Sequence, residues 1–79
     1  MKRVALIGIV VEDLGSTAAL NEILHDYSEY ILGRMGIPNR ERNISIMSVA
    51  IDAPEDVIST VSGKIGQLEG VSTKTIYSK

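Results

Sequence analysis

The sequence contains no cysteine, tryptophan or phenylalanine, and it has one histidine. Without thiols the chain has neither a disulfide framework nor a thiolate metal site, and it lacks the Cys-x-x-Cys pair of copper- or zinc-carrying domains. Its three tyrosines, Tyr27, Tyr30 and Tyr77, lie outside the most apolar segments. RNA-recognition domains stack bases on aromatic residues of their central strands. These absences exclude a thiolate-based copper- or zinc-carrying domain and an RNA-recognition domain.

The chain also has no excess of positive charge, because it contains eight Lys and Arg residues and ten Asp and Glu residues, which gives a net charge of −2. Such a chain has no strong field for phosphates, and we expect no direct contact with nucleic acid. No apolar stretch approaches the roughly 20 residues that cross a bilayer. The apolar start Val4–Val11 runs into Glu12 and Asp13 without a small-residue cleavage site. We expect a cytoplasmic protein with no membrane association.

The length of 79 residues suits one domain, which we place at residues 1–79. A domain of this size buries only about 60% of the surface that its unfolded chain exposes. Small folds usually add disulfides, a structural metal or association with other chains. Because the residues for the first two are missing, we expect a homo-oligomer, either a dimer or a tetramer.

Four segments have the composition of strands. Val4–Val11 and Ile44–Ile51 are apolar or small at nearly every position, which predicts strands with both faces buried. Val71–Tyr77 alternates and carries lysine, as an edge strand does. Another strand is predicted within Tyr30–Ile37, and the polar residues 38–43 predict a connection after it.

Two helices are predicted between these strands. Ser16 or Thr17 is expected to cap the first, and Asp52 is expected to cap the second, with Pro54 in its first turn and Gly70 as its stop. The first helix presents one apolar face, formed by Leu20, Ile23, Leu24 and Tyr27. The buried stripe of the second is predicted at Val57, Val61, Ile65 and Leu68.

The element order β-α-β-β-α-β predicts an α+β, ferredoxin-like βαββαβ sandwich with a four-stranded antiparallel sheet. In that topology the first and third strands are central and both helices cover one face. The opposite face would expose part of Val4–Val11 and Ile44–Ile51, an apolar patch that monomers seldom tolerate. We therefore expect another copy to cover this face, or sheets to join at their edges.

The loop after the first strand provides the first candidate ligand-binding residues, Glu12, Asp13, Gly15 and Ser16. This loop joins a central strand to a helix N-terminus, whose free N–H groups can hold a carboxylate or a similar anion. A plain strand-to-helix turn is the alternative reading, and it is favoured.

Arg34 is the other candidate, because Gly33 and Gly36 near it would let a ligand or another chain approach closely. Guanidinium groups pair bidentately with carboxylate and phosphate. The alternative, which is favoured, is that Arg34, Arg40 and Arg42 are solvated surface charges.

His25 stands beside Asp26 and three residues before Ser28. Neighbours in sequence do not form a triad, because catalytic partners converge from different segments. A histidine on a helix surface is favoured over a catalytic base or a metal ligand. No catalytic residue, metal ligand or cofactor is predicted from the sequence.

The first strand, the turn Asp13-Leu14-Gly15 and the helix face that starts at Leu20 resemble the opening of ACT domains. ACT domains are ferredoxin-like modules that bind amino acids or other small effectors between subunits, and Leu14 stands where they usually have proline. The whole chain resembles an ACT-like family of iron-only hydrogenase system regulators, which share the segment Gly33–Pro38. That family is similar to the effector domain of nickel-responsive repressors, whose several histidines and cysteine have only His25 as a loose counterpart here.

The leading hypothesis is a non-catalytic regulatory protein that forms homo-oligomers and binds a small effector at a subunit interface. The resemblance implies a link to hydrogenase maturation. The predicted ligand-binding residues are Glu12, Asp13, Gly15, Ser16 and Arg34. A structural protein–protein interaction module without a ligand is the alternative. An enzyme with a site between subunits has less support, because the predicted central strands carry no carboxylate or histidine.

Overall fold

The computed structural model describes residues 1–79 and contains four strands and two helices. The elements are β1 (Lys2–Val11), α1 (Thr17–Asp26), β2 (Ile31–Asn39), β3 (Ile44–Pro54), α2 (Glu55–Gly66) and β4 (Val71–Tyr77). The strands form one antiparallel sheet in the order β2-β3-β1-β4. This is the predicted α+β, ferredoxin-like βαββαβ arrangement, with β1 and β3 at the centre.

The core lies between the two helices and one face of the sheet. Along β1 every second side chain is buried, from Ala5 to Val11, because successive side chains of a strand point to opposite faces. Each helix adds a short apolar stripe that packs onto them. The buried apolar residues are Ala5, Ile7, Ile9, Val11, Leu20, Leu24, Val49, Ile51, Ala53, Ile58, Val61, Ile65 and Val71.

The central strands are therefore covered on one face only within a single chain. Val4 and Leu6 alternate with the buried residues of β1 and are exposed. The expectation that both faces are buried is wrong for the isolated chain, because both helices lie on the same side of the sheet. Cover for the second face from another copy stays a prediction.

Ser16 stands at the N-cap position of α1, but its side chain makes no capping hydrogen bond. Its hydroxyl instead donates to the Glu69 carbonyl at 2.7 Å. The position of the cap was predictable from sequence, but the expected capping bond, in which the hydroxyl would accept from a helix N–H, is not formed. Within α1, Leu20 and Leu24 are buried, as the helical spacing predicts.

Strand β3 is longer than predicted and includes Asp52 and Pro54. Pro54 is the N-cap of α2, with an extended backbone conformation (φ −56°, ψ 147°), and the helix begins at Glu55. Asp52 does not cap the helix because it pairs with Val4 in the sheet. A carboxylate therefore does lie on a central strand, contrary to the sequence-based expectation.

The buried stripe of α2 consists of Ile58, Val61 and Ile65, whereas Val57 and Leu68 are only partly buried. The stripe is thus centred nearer Ile58 than predicted. The helix ends at Gly66 instead of continuing to Gly70. Neither helix has the length and apolar character needed to cross a bilayer.

Strand β2 extends to Asn39 and includes Pro38, so the connection predicted at residues 38–43 is shortened to a turn of residues 40–43. Asn43 has a positive φ of 56°, which the short polar side chain of asparagine tolerates in tight turns. The register shifts between Ile31 and Gly33, where β2 bulges against β3. Arg34 follows this bulge directly.

Candidate functional site

The turn between β1 and α1 is held by its own backbone and by the loop before β4. The Asp13 carboxylate accepts a hydrogen bond from the Gly15 amide at 2.9 Å. The Glu12 amide donates to the Gly70 carbonyl at 2.7 Å. The Ser16 hydroxyl donates to the neighbouring Glu69 carbonyl. These groups connect two loops, and none of the four predicted ligand-binding residues of this turn lines either cavity described below.

Arg34 lies away from that turn. It stands opposite Val49 on β3, which is itself level with Ile7 on β1. The turn begins after Val11, four residues farther along β1, which corresponds to about 13 Å along a strand. The structure therefore brings Glu12, Asp13 and Ser16 near the loop before β4, and places Arg34 at a separate position beside α1.

A cavity of about 360 Å³ lies at that second position, between α1 and β2. Leu24 and Ile31 provide its apolar surface, and Leu24 belongs to the core. Arg34 lies at its side, where its guanidinium donates to the amide oxygen of Asn21 at 3.3 Å. The residues that line the cavity are Asn21, Leu24, His25, Ser28, Ile31, Gly33 and Arg34. We call this the α1–β2 cavity.

The sequence singled out Arg34 and treated His25 as a surface residue, and the structure places both at this one cavity. Asn21 and Ser28 were not predicted as site residues. The signal for them was available, because Asn21, His25 and Ser28 follow the i, i+4, i+7 spacing of a single helix face. What the sequence lacked was the information that this face lies beside the strand that carries Arg34.

A metal ion requires a set of ligand side chains that converge on one point. No three His, Cys, Asp or Glu residues lie close enough together to hold a metal ion. His25 is exposed, and its neighbours in the cavity are a guanidinium, an amide and a hydroxyl. The cavity is therefore rich in hydrogen-bond donors rather than in metal ligands.

The face of the sheet opposite the helices, which we call the open face, is largely apolar. Paired residues of neighbouring strands point to the same face, so the pairs of Leu6 with Ala50 and Ile76 define one row of it. Six of the nine exposed large hydrophobic residues of the chain lie on this face by register. They are Val4, Leu6, Met35, Ile37, Ile46 and Ile76.

Small residues form the centre of the open face. Gly8 on β1 pairs with Ser48 on β3, and Ala50 on β3 pairs with Gly33 on β2. A shallow depression of about 400 Å³ lies over Gly8 and Ser48 and reaches Lys74 on β4. Apart from Lys2 at the start of β1, the charged residues of the face are Asp52 and Lys74. The open face thus has larger apolar residues around a low centre.

Comparison with known proteins agrees with this architecture. Residues 3–75 match the family described as "TM1266-like: Iron-only hydrogenase system regulator, putative". The chain belongs to this family. The solved structure of the uncharacterized protein TM1266 from Thermotoga maritima shares 40% sequence identity, covers 100% of both chains and superposes with a TM-score of 0.95. No curated protein matches the chain.

A more distant structural similarity shows the fold alone. A formyltetrahydrofolate deformylase from Pseudomonas putida KT2440 shares 10% identity and has a TM-score of 0.67, covering 92% of this chain and 28% of that protein. Membership of the regulator family and the ferredoxin-like fold are therefore shown, and the fold and family proposed from sequence are confirmed.

Proposed function

We propose that this member of the iron-only hydrogenase system regulator family is a non-catalytic module that self-associates through the open face and responds to a small ligand. The apolar open face is the observation that carries the proposal. Six exposed large hydrophobic side chains share one side of the sheet, whereas monomeric proteins rarely expose contiguous apolar patches of more than a few hundred Å². Covering this face would add the burial that so small a chain lacks.

A second copy of the chain is the occupant that best fits the open face. In a two-fold symmetric dimer both subunits contribute the same surface to the interface. Opposite charges can therefore pair across it only if that surface carries both an acidic and a basic residue. Asp52 and Lys74 supply one of each. Four strands about 4.8 Å apart and about 30 Å long give a projected area of roughly 600 Å², comparable with the ~800 Å² per partner of a standard interface.

A binding role, rather than acid–base catalysis, is supported by the residues at the two cavities. Their linings contain no carboxylate and only one histidine, His25. General acid–base chemistry draws most often on histidine and carboxylate pairs. The family description as a regulator agrees with a binding role, and a link to hydrogenase maturation is part of this proposal.

Sedimentation velocity of the full chain at micromolar concentration tests the self-association. We expect the unsubstituted chain to sediment as a dimer or tetramer, and Leu6→Glu to sediment as a monomer because a charge would be buried at the interface. Leu14→Glu is the matched control, since Leu14 is 44% exposed, Leu6 is 43% exposed, and Leu14 lies off the sheet. Circular dichroism verifies that both variants are folded.

Ile76→Glu provides a second test on the edge strand β4, where a charge is easily accommodated in the folded monomer. It should also lower the sedimentation coefficient. A monomeric unsubstituted chain at these concentrations, or equal behaviour of Leu6→Glu and Leu14→Glu, contradicts the proposal.

A further inference from the structure

Arg34 is the one cation of the α1–β2 cavity, and no acidic side chain neutralises it. Its hydrogen-bond partner is the neutral amide of Asn21, at a long distance of 3.3 Å. The single ion pair of the molecule joins Arg3 to Glu55, and no Asp or Glu lines the cavity. A guanidinium presents a planar set of donors that matches a carboxylate. The cavity therefore has a charged donor without an anion.

The other polar residues of the cavity increase the preference for an oxyanion. Asn21, His25 and Ser28 lie on one face of α1 and its following turn, and each can donate a hydrogen bond. They meet Arg34 across the cavity, so donors approach from both the helix and the strand. A cationic ligand would find no charged acceptor there.

The apolar part of the cavity indicates that the ligand is not a bare anion. Leu24, which is 2% exposed, and the partly buried Ile31 line it. A volume of about 360 Å³ lies at the small end of ligand-binding cavities, which combine an apolar lining with a few polar groups. A short branched alkyl chain there would release water from the partly exposed Ile31 and pack beside the small exposed part of Leu24.

We propose that the α1–β2 cavity binds a small aliphatic monocarboxylate, with the carboxylate at Arg34 and the alkyl chain on Leu24 and Ile31. An α-amino acid is a poorer ligand, because its ammonium group would be desolvated without a carboxylate partner in the lining. This inference deepens the small-ligand response in the proposed function and rests on it for its regulatory meaning. The binding itself requires only one folded chain.

Isothermal titration calorimetry with isocaproate, L-leucine and inorganic phosphate tests the proposal on the full chain. Isocaproate and leucine differ only by the ammonium group, and phosphate lacks the alkyl chain. Arg34→Gln removes the guanidinium from the cavity. Arg40→Gln is the matched control, because Arg40 is exposed in the turn after β2 and does not line the cavity. Amide NMR shifts of His25 and Gly33 locate the binding.

We expect saturable binding of isocaproate that shifts the amides of His25 and Gly33. Affinity should fall at least about tenfold for leucine, for phosphate and for Arg34→Gln, and should be unchanged in Arg40→Gln. Absence of saturable isocaproate binding overturns the proposal, as does equal affinity for leucine or phosphate, or an equal loss in the two arginine variants. Sedimentation reports self-association separately, so failure here is distinguishable from failure of the oligomer.

Discussion

At the scale of single residues, Gly70 shows how two loops are joined. Its φ is +67°, and a Cβ added there would lie 2.6 Å from the Asp13 Cβ and 2.9 Å from the Asp13 amide nitrogen. Because those atoms belong to a turn held by hydrogen bonds on both sides, they cannot move away cheaply. Only glycine fits this close contact between the turn after β1 and the loop before β4.

Gly70→Ala should therefore lower the free energy of unfolding by more than ~1 kcal/mol, through backbone strain and the clash with Asp13. Gly63→Ala is the control, because no atom lies within 4 Å of the added Cβ and the residue is inside α2. That substitution should raise stability by about 0.5–1 kcal/mol. Urea denaturation measures both, and changes of the same sign would contradict this account.

The residues of the candidate site could be predicted from the sequence only in part. Arg34 was found through its small neighbours, since Gly33 and Gly36 leave a charged side chain accessible. The association of Arg34 with Asn21 and His25 depends on where α1 lies relative to β2, and spacing along the chain carries no information on that position. The turn at Asp13 is explained by its contacts with Gly70 and Glu69, and its ligand-binding role stays a prediction.

At the scale of elements, the spacing of apolar residues in α2 was compatible with two faces. One possible face, with i, i+4, i+8 spacing, contains Val57, Val61 and Ile65. The other, with i, i+3, i+7 spacing, contains Ile58, Val61 and Ile65, and periodicity alone does not choose between these two faces. The structure buries Ile58 fully and leaves Val57 partly exposed. The choice is made by how α2 leaves β3: Pro54 remains extended, and the helix begins one residue later.

Truncation of these two residues distinguishes the faces. Ile58→Ala should cost about 2–5 kcal/mol of unfolding free energy, because a fully buried side chain is replaced by a cavity. Val57→Ala should cost less than half as much, since Val57 is only partly buried and loses two carbon atoms where Ile58 loses three. Thermal or urea denaturation gives the two values. A larger loss for Val57→Ala would place the stripe where the sequence alone predicted it.

At the scale of the whole molecule, the topology followed from element order, because two split βαβ units with right-handed connections place the first and third strands at the centre. Strand ends were less predictable. Asp52 and Pro54 are residues that usually end strands, yet β3 continues through both because β1 supplies hydrogen-bond partners as far as Lys2. Tertiary pairing outweighs the local preference of these residues.

Self-association through the open face should make thermal stability depend on protein concentration. If the unfolded chain is monomeric, a roughly hundredfold increase in concentration should raise the apparent Tm by roughly 5–10 °C. Leu6→Glu should remove this dependence, and Leu14→Glu should retain it. Differential scanning calorimetry across that range provides the measurement. A Tm of the unsubstituted chain that does not change with concentration would be inconsistent with an oligomer.

The alternation along β1 has a consequence for how such proteins diverge. Its odd-numbered side chains, from Ala5 to Val11, are buried in the core, while its even-numbered side chains, from Val4 to Val10, lie on the open face beside their cross-strand neighbours. Substitutions in one set leave the other set in place. If the open face is an interface, as proposed, substitutions at a few even-numbered positions would change the partner or the subunit number while the interior stays the same.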